Sequence, residues 1–184
     1  GSRESYFNVL DRSIKNQSYK NIRHIVSNDN PYNKYLKNRQ DVINLPPKSY
    51  HKHLGKCFYN LYLNKLSKKV KDGWVIILDD DSCIIDKNFI KNLANICEKS
   101  NPNDILIYKC YLGKRNHTQP PKYYFKFKNI MVGKIDMACF CVHYSVFKNF
   151  KFKPYCAGDF KFLNDIVQSK QYNFKFVNIN IGVH

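Results

Sequence analysis

A chain of 184 residues, 43% hydrophobic and 15% aromatic, is long and apolar enough to bury a core, which excludes a disordered chain. Its 31 Lys and Arg outnumber 14 Asp and Glu, and the net charge of +17 predicts attraction to polyanions: nucleic acid, anionic membrane or phosphorylated small molecules. No apolar run is long enough to cross a bilayer and no signal-peptide pattern opens the chain, so no transmembrane segment is expected and the reading is cytoplasmic.

Taken in chain order, Tyr6, Val9, Leu10 and Ile14 lie close to one helical stripe and predict a first helix in "ESYFNVLDRSIKNQSY". A short strand follows over 22–27, halted by Asn28, Asp29, Asn30 and Pro31. "DVINL" reads as another short strand before Pro46 and Pro47. Leu54, Phe58, Leu61, Leu66 and Val70 keep helical spacing, and Gly73 suits a left-handed stop. Trp74 to Leu78 is a continuous apolar run of strand length, the pattern of a strand covered on both faces. Asp86 is placed to cap a helix that buries Phe89, Ile90, Leu93, Ile96 and Cys97. "DILIYKCYL", "KYYFKF" and residues 135–142 read as strands, "GDFKFLNDIVQS" as a helix and "FKFVNINIGV" as a last strand. Helices alternating with short buried strands predict a single α/β domain over 1–184 with a mixed sheet.

Seven cysteines without a CxxC pair, in a chain too large to need staples, read as reduced thiols in a cytosol-like compartment. In "CFCVH", Cys139, Cys141 and His143 alternate along a strand. Residues two apart there stand roughly 7 Å apart, too far to converge on one zinc. Core packing accounts for them better.

The acids pose the sharper question. "WVIILDDDS" runs an oily strand into Asp79, Asp80 and Asp81, although adjacent carboxylates repel and resist leaving water. Ligands of open α/β sheets bind beyond the carboxyl ends of strands, where these acids and Asp29 fall. Hard oxygen ligands in a turn suit Mg²⁺ or Mn²⁺, the usual companions of nucleotide phosphates. A solvated turn with Asp86 as a helix cap explains the triplet alone equally well.

The order of motifs decides between them. "RESYFNVLDRSIKNQSYKNIRHIVSNDN", "GKCFYN", "ILDDDS" and "AGDFKFL", in that order, resemble the family 2-type glycosyltransferases with a GT-A fold across nearly the whole chain. That resemblance implies a GT-A-type sandwich with a mixed, mostly parallel central sheet flanked by helices. It further implies a metal-dependent enzyme, using Mn²⁺ or Mg²⁺, that moves a sugar with inversion from a nucleotide-sugar donor, UDP-sugar foremost, to a glycan or protein acceptor. The sequence departs from the family in three places. The strand that opens the family is absent before Arg3, which implies an incomplete base pocket and one empty sheet position. Gly158 stands where an acid is usual, and the stretch between Asn60 and Trp74 is longer than usual.

By resemblance, Arg3, Asp29, Asn60, Asp79 and Asp80 bind the nucleotide sugar. Asp29 meets the base, Asp79 the ribose or the metal, and Asp81 the metal, with His184 completing the metal shell. Asp159 is the general base, and as a helix N-cap it has an ordinary structural role as well. Arg3 and Lys56 are candidates for phosphate, and Tyr123, Tyr124 and Phe125 for an acceptor cleft or simply a half-buried strand. Two other readings stay open: a basic nucleic-acid-binding module, which leaves the triplet unexplained, and a degenerate GT-A domain that binds without catalysis.

Overall fold

The computed structural model describes residues 3–30, 32–45, 57–113, 117–121, 123–124, 130 and 134–183. Leu54, Gly55, Lys56, Phe125 and His184 lie outside the described residues. In chain order the elements are α1 (Arg3–Lys15), β1 (Val26–Asn28), β2 (Val42–Asn44), α2 (Asn60–Ser67), β3 (Trp74–Ile76), β4 (Cys83–Ile84), α3 (Phe89–Glu98), β5 (Asp104–Leu112), β6 (His117–Gln119), β7 (Phe140–His143), α4 (Tyr144–Asn149), α5 (Gly158–Ser169) and β8 (Asn173–Val183).

The core forms around β5, whose apolar run Ile105, Leu106, Ile107 and Tyr108 is fully buried. Such a run demands cover on both faces. Phe89, Leu93 and Cys97 of α3 join that core, as do Phe162, Leu163 and Ile166 of α5. Phe162 stacks on Phe152 with ring centroids 4.2 Å apart. Each such side chain contributes about 1.5–3 kcal/mol by leaving water. Cys139 and Cys141 are buried in the same core, as core packing of "CFCVH" requires, and burial pushes both thiols well above their ordinary range.

The larger sheet runs in the order β3–β7–β5–β8–β4, with β6 beside the far half of β5. It is mixed as expected, but among the described residues only β5 and β8 run parallel there and the other pairings are antiparallel, so parallel pairs do not predominate. Strand direction is set by connections across the whole chain, which no local apolar pattern records. β1 and β2 pair in parallel as a separate two-stranded sheet.

Around that small sheet, Phe7, Val26 and Leu36 form a second cluster. Phe7 and Leu10 are the buried apolar residues of α1; Tyr6 and Val9, expected on the buried stripe with Leu10, are exposed at 42% and 52%. The helix turns this way because buried Asp11 meets Arg39 at 2.9 Å and Lys15 at 2.7 Å, while the Arg39 guanidinium lies 5.1 Å over the Phe7 ring. Arg39 also holds Asp41, and His24 stacks on Phe7, its pKa lowered chiefly by burial.

Three further expectations change. β3 is half-buried along its length at the sheet's edge, not covered on both faces. Tyr123 and Tyr124 are helical rather than extended, and Tyr124 is buried. Cys57 and Cys156 form a disulfide, so five thiols are free instead of seven.

Candidate active site

Beyond β3, the Ser82 N–H donates to the Asp79 carbonyl at 3.0 Å and closes a four-residue turn with Asp80 and Asp81 at its corner. The turn is anchored from α1. Ser13 Oγ accepts the Ile84 N–H at 3.1 Å, and Gln17, almost wholly buried, donates to the Asp86 carbonyl at 3.1 Å and accepts the Ile90 N–H at 3.0 Å. Gln17 of "NQS" thereby ties the chain just after α1 to the segment leaving the acidic turn. At the other end of α1, Arg3 reaches Asp80 as an ion pair and hydrogen bond. Burial raises the Asp80 pKa; Arg3 opposes that shift, and Asp81 and Asp79 add to it.

Past β1, the loop carrying Asp29 is organised by its neighbour. Asn28 is buried, donates to Asn44 Oδ1 at 3.0 Å, and accepts from Asn33 Nδ2 at 3.0 Å and the Asn30 N–H at 3.2 Å. Asp29 itself is half-buried. It lies close enough to Tyr35 to affect that phenol, whose pKa is raised by burial first and then by Asp80 and Glu4, with Arg3 opposing.

Asn60 and Asp159 meet from opposite ends of the sequence. Asn60 Nδ2 donates to the Tyr155 carbonyl at 2.8 Å, just before the turn into α5. Gly158 packs directly on Asn60: a Cβ there would sit 2.9 Å from Asn60 Cγ and closer still to its amide nitrogen. The glycine in place of an acid is thus a packing requirement. Asp159 follows as the second helical residue. The helix cap is Ala157, in the left-handed conformation at φ 69°, so Asp159 is not the N-cap. Its Oδ1 accepts the Phe160 N–H at 2.8 Å. The carboxyl pKa is nonetheless raised: burial outweighs that bond, and Asp136 and Asp79 add to the rise.

One cleft of about 1810 Å³ is lined by Arg3, Asp29, Asn60, Asp79, Asp80, Asp81 and Asp159. It also takes in Asp136, which the sequence reading missed. Asp136 caps a 3₁₀ turn by accepting the Ala138 N–H at 3.0 Å, and no motif in "GKIDMACF" announces its approach to Asp159. Among the described residues, no three His, Cys, Asp or Glu side chains form a group able to hold a metal ion. Mg²⁺, however, is commonly held by one or two carboxylates together with substrate phosphates. Exposed Asp79 with half-buried Asp80 and Asp81 fit a cation shared in that way with a diphosphate, and do not fit one caged by protein alone.

Acidic loops at the carboxyl ends of β1, in the small parallel sheet, and of β3, in the mixed sheet flanked by helices, define a GT-A-type α/β domain. Residues 3–155 match glycosyl transferase family 2, and the chain belongs to that family. Asp159 lies just beyond the matched residues. The crystal structure of S. aureus TarS 1-349 superposes with a TM-score of 0.65 at 17% identity, a likeness of fold. It covers 95% of this chain, which in turn spans 55% of that one. No curated protein matches the chain in sequence.

Proposed function

We propose that the chain transfers a glycosyl group, with inversion, from a nucleotide-sugar donor to a hydroxyl of a glycan or protein acceptor. UDP-sugar is the foremost donor. The observation that carries this reading is the gathering of Asp29, Asp79, Asp80, Asp81 and Asp159 into one cleft of a family 2 chain whose net charge is +17. Asp29 receives the base, Asp79 and Asp80 the ribose and its surroundings, and Asp81 with Asp79 would hold Mn²⁺ or Mg²⁺. When bound, such a cation stabilises charge on the leaving diphosphate. Arg3, already against Asp80, is within the cleft to meet phosphate. Asp159 accepts the acceptor hydroxyl's proton, and its raised pKa brings it nearer the working pH that favours a general base.

We infer a cytoplasmic setting from the five free thiols. Among the described residues no helix is long and apolar enough to cross a membrane. The Cys57–Cys156 bond is the feature that stands apart from that setting.

A thermal-shift panel of nucleoside diphosphates and their sugars, with Mn²⁺ and with EDTA, tests the proposal. Ligand that binds only the folded state raises the unfolding midpoint. A shift larger with Mn²⁺, and no longer metal-dependent in Asp81→Asn, is expected. Equal shifts under both conditions would remove the metal, and no shift with any nucleotide would remove the donor.

A further inference from the structure

Cys57 is buried just ahead of α2, and Cys156 is exposed on the strap that leads into α5. Their disulfide joins Cα atoms 5.3 Å apart across 99 residues of sequence. Hydrogen bonds run beside it. Asn60 donates to the Tyr155 carbonyl at 2.8 Å; Asn64 donates to the Phe152 carbonyl at 2.9 Å and accepts the Phe152 N–H at 2.9 Å. Gly158 completes the contact by packing on Asn60. The start of α2 therefore grips the strap over residues 152–158, and the next residue is Asp159.

The strap needs that grip. Residues 151–157 belong to no helix or strand, and Ala157 holds a left-handed φ of 69° that L-residues adopt only against a steric penalty. Such a conformation persists where its surroundings over-determine it. Removing a covalent restraint beside Ala157 lets it relax toward ordinary angles, and any rotation there re-aims the first turn of α5. The acids of the 79–82 turn are anchored independently, through Ser13 and Gln17.

We propose that the Cys57–Cys156 disulfide is a thiol-sensitive clamp that positions Asp159 for glycosyl transfer; this rests on the reading of Asp159 as general base given above. A thiolate of a dithiol reductant attacks the Cys156 sulfur from the solvent side, and Cys57 leaves as a thiolate and takes up a proton. The second thiol of the reductant then displaces Cys156 from the mixed disulfide. One protein S–S bond is broken, two protein thiols form, and the dithiol is oxidised to its own disulfide, so electrons and protons balance.

The test uses the full chain, oxidised and then treated with a dithiol. Alkylation in denaturant should count five thiols before reduction and seven after it. Amide exchange should then rise over residues 155–162 while staying unchanged in the 79–84 turn and in β5. Transfer should lose roughly tenfold or more in kcat, since small displacements of a catalytic group are costly. The donor KM should stay within about twofold, because the donor's acids are held elsewhere. Cys156→Ser, at the exposed end, should match the reduced protein and ignore the dithiol, and reoxidation of the parent with oxidised glutathione should restore its rate.

Seven thiols before reduction would overturn the proposal. So would unchanged exchange with unchanged kcat, or exchange rising throughout the core, which would make the bond a general stabiliser. An oxidised protein that transfers no sugar would refute the reading of the site instead, and local exchange would still decide the clamp.

Discussion

Replacing Asp159 by Asn separates the carboxylate's charge from its place in the fold. Its oxygen accepts the Phe160 N–H at 2.8 Å, a bond that an amide oxygen accepts as well. Burial is the chief cause of its raised pKa; the Phe160 N–H opposes the rise, and Asp136 and Asp79 add to it. A carboxyl of this kind binds its proton more tightly folded than unfolded. Its contribution to stability is therefore full below the ordinary value of 3.8 and is lost as the pH rises through the folded value. At neutral pH the ionised side chain is a net cost to the fold, and Asp159→Asn removes it. The variant's unfolding midpoint should equal or exceed the parent's at neutral pH, and the difference should close below about pH 4. Catalysis should move the other way. Loss of a general base costs about 10²- to 10⁴-fold, which is about 2.7–5.5 kcal/mol at about 1.36 kcal/mol per tenfold. Release of nucleoside diphosphate in the presence of acceptor measures the rate, and calorimetry with Mn²⁺ should find donor binding unchanged. Transfer at the parent rate would refute the reasoning, and a markedly lowered midpoint would show that the charge supports the fold.

Gly158→Ala should destabilise by about 1–3 kcal/mol in urea, the usual cost of overpacking, because its Cβ meets the Asn60 side chain and lies 3.2 Å from the Lys153 carbonyl. Adding Asn60→Ala should recover part of that loss, and strictly additive effects would disprove the contact. Asp11→Ala should lose about 1.5–3 kcal/mol, the range for hydrogen bonds to charged groups, since Arg39 keeps Asp41 as a partner. Burial works to raise the Asp11 pKa, but Lys15 and Arg39 hold it below 3.8, so this stability is present above that value and fades as the pH falls through the lowered one. A gap between parent and variant that persisted in strong acid would count against the ion pairs as its source. Duplex DNA should bind weakly and release steeply with salt; tight binding that survives about 0.2 M salt would favour the nucleic-acid reading.

Where the sequence was legible, local chemistry decided the structure. β5 coincides with "DILIYKCYL" because a long apolar run has one way to be buried, and α5 coincides with "GDFKFLNDIVQS" because its apolar spacing is helical throughout. Illegible features depend on partners far along the chain. Tyr6 and Val9 face solvent because buried Asp11 and the Arg39–Phe7 contact set the rotation of α1. β-rich composition misled at Tyr123 and Tyr124, where aromatic propensity alone suggested a strand. The disulfide spans 99 residues, and its two cysteines carry no spacing signature. The acidic turn was legible as a turn, but not the link from Gln17 that orients it, nor Asp136 beside Asp159.

The scarcity of acids in this chain sharpens what the cleft can bind. Of 14 Asp and Glu residues, eight line the cleft: Asp29, Asp72, Asp79, Asp80, Asp81, Glu98, Asp136 and Asp159. Away from it, Asp11, Asp41, Asp104 and Asp165 each have a basic partner within 4 Å. Arg3, Arg23 and Lys71 line the same cleft, so acids outnumber bases there while bases outnumber acids over the whole chain. A bare diphosphate is drawn by the field of the whole chain and repelled by that of the cleft, whereas a cation alone feels the reverse. The proposed metal-bound donor meets both, with the cation among the acids and the phosphates between it and bases such as Arg3. On this reading the metal and the nucleotide bind as one unit. Each should strengthen the other's binding by the same factor, as linkage requires. Titrating Mn²⁺ with and without nucleoside diphosphate measures that factor from both sides, and independent binding of the two would sever the acidic turn from the donor site.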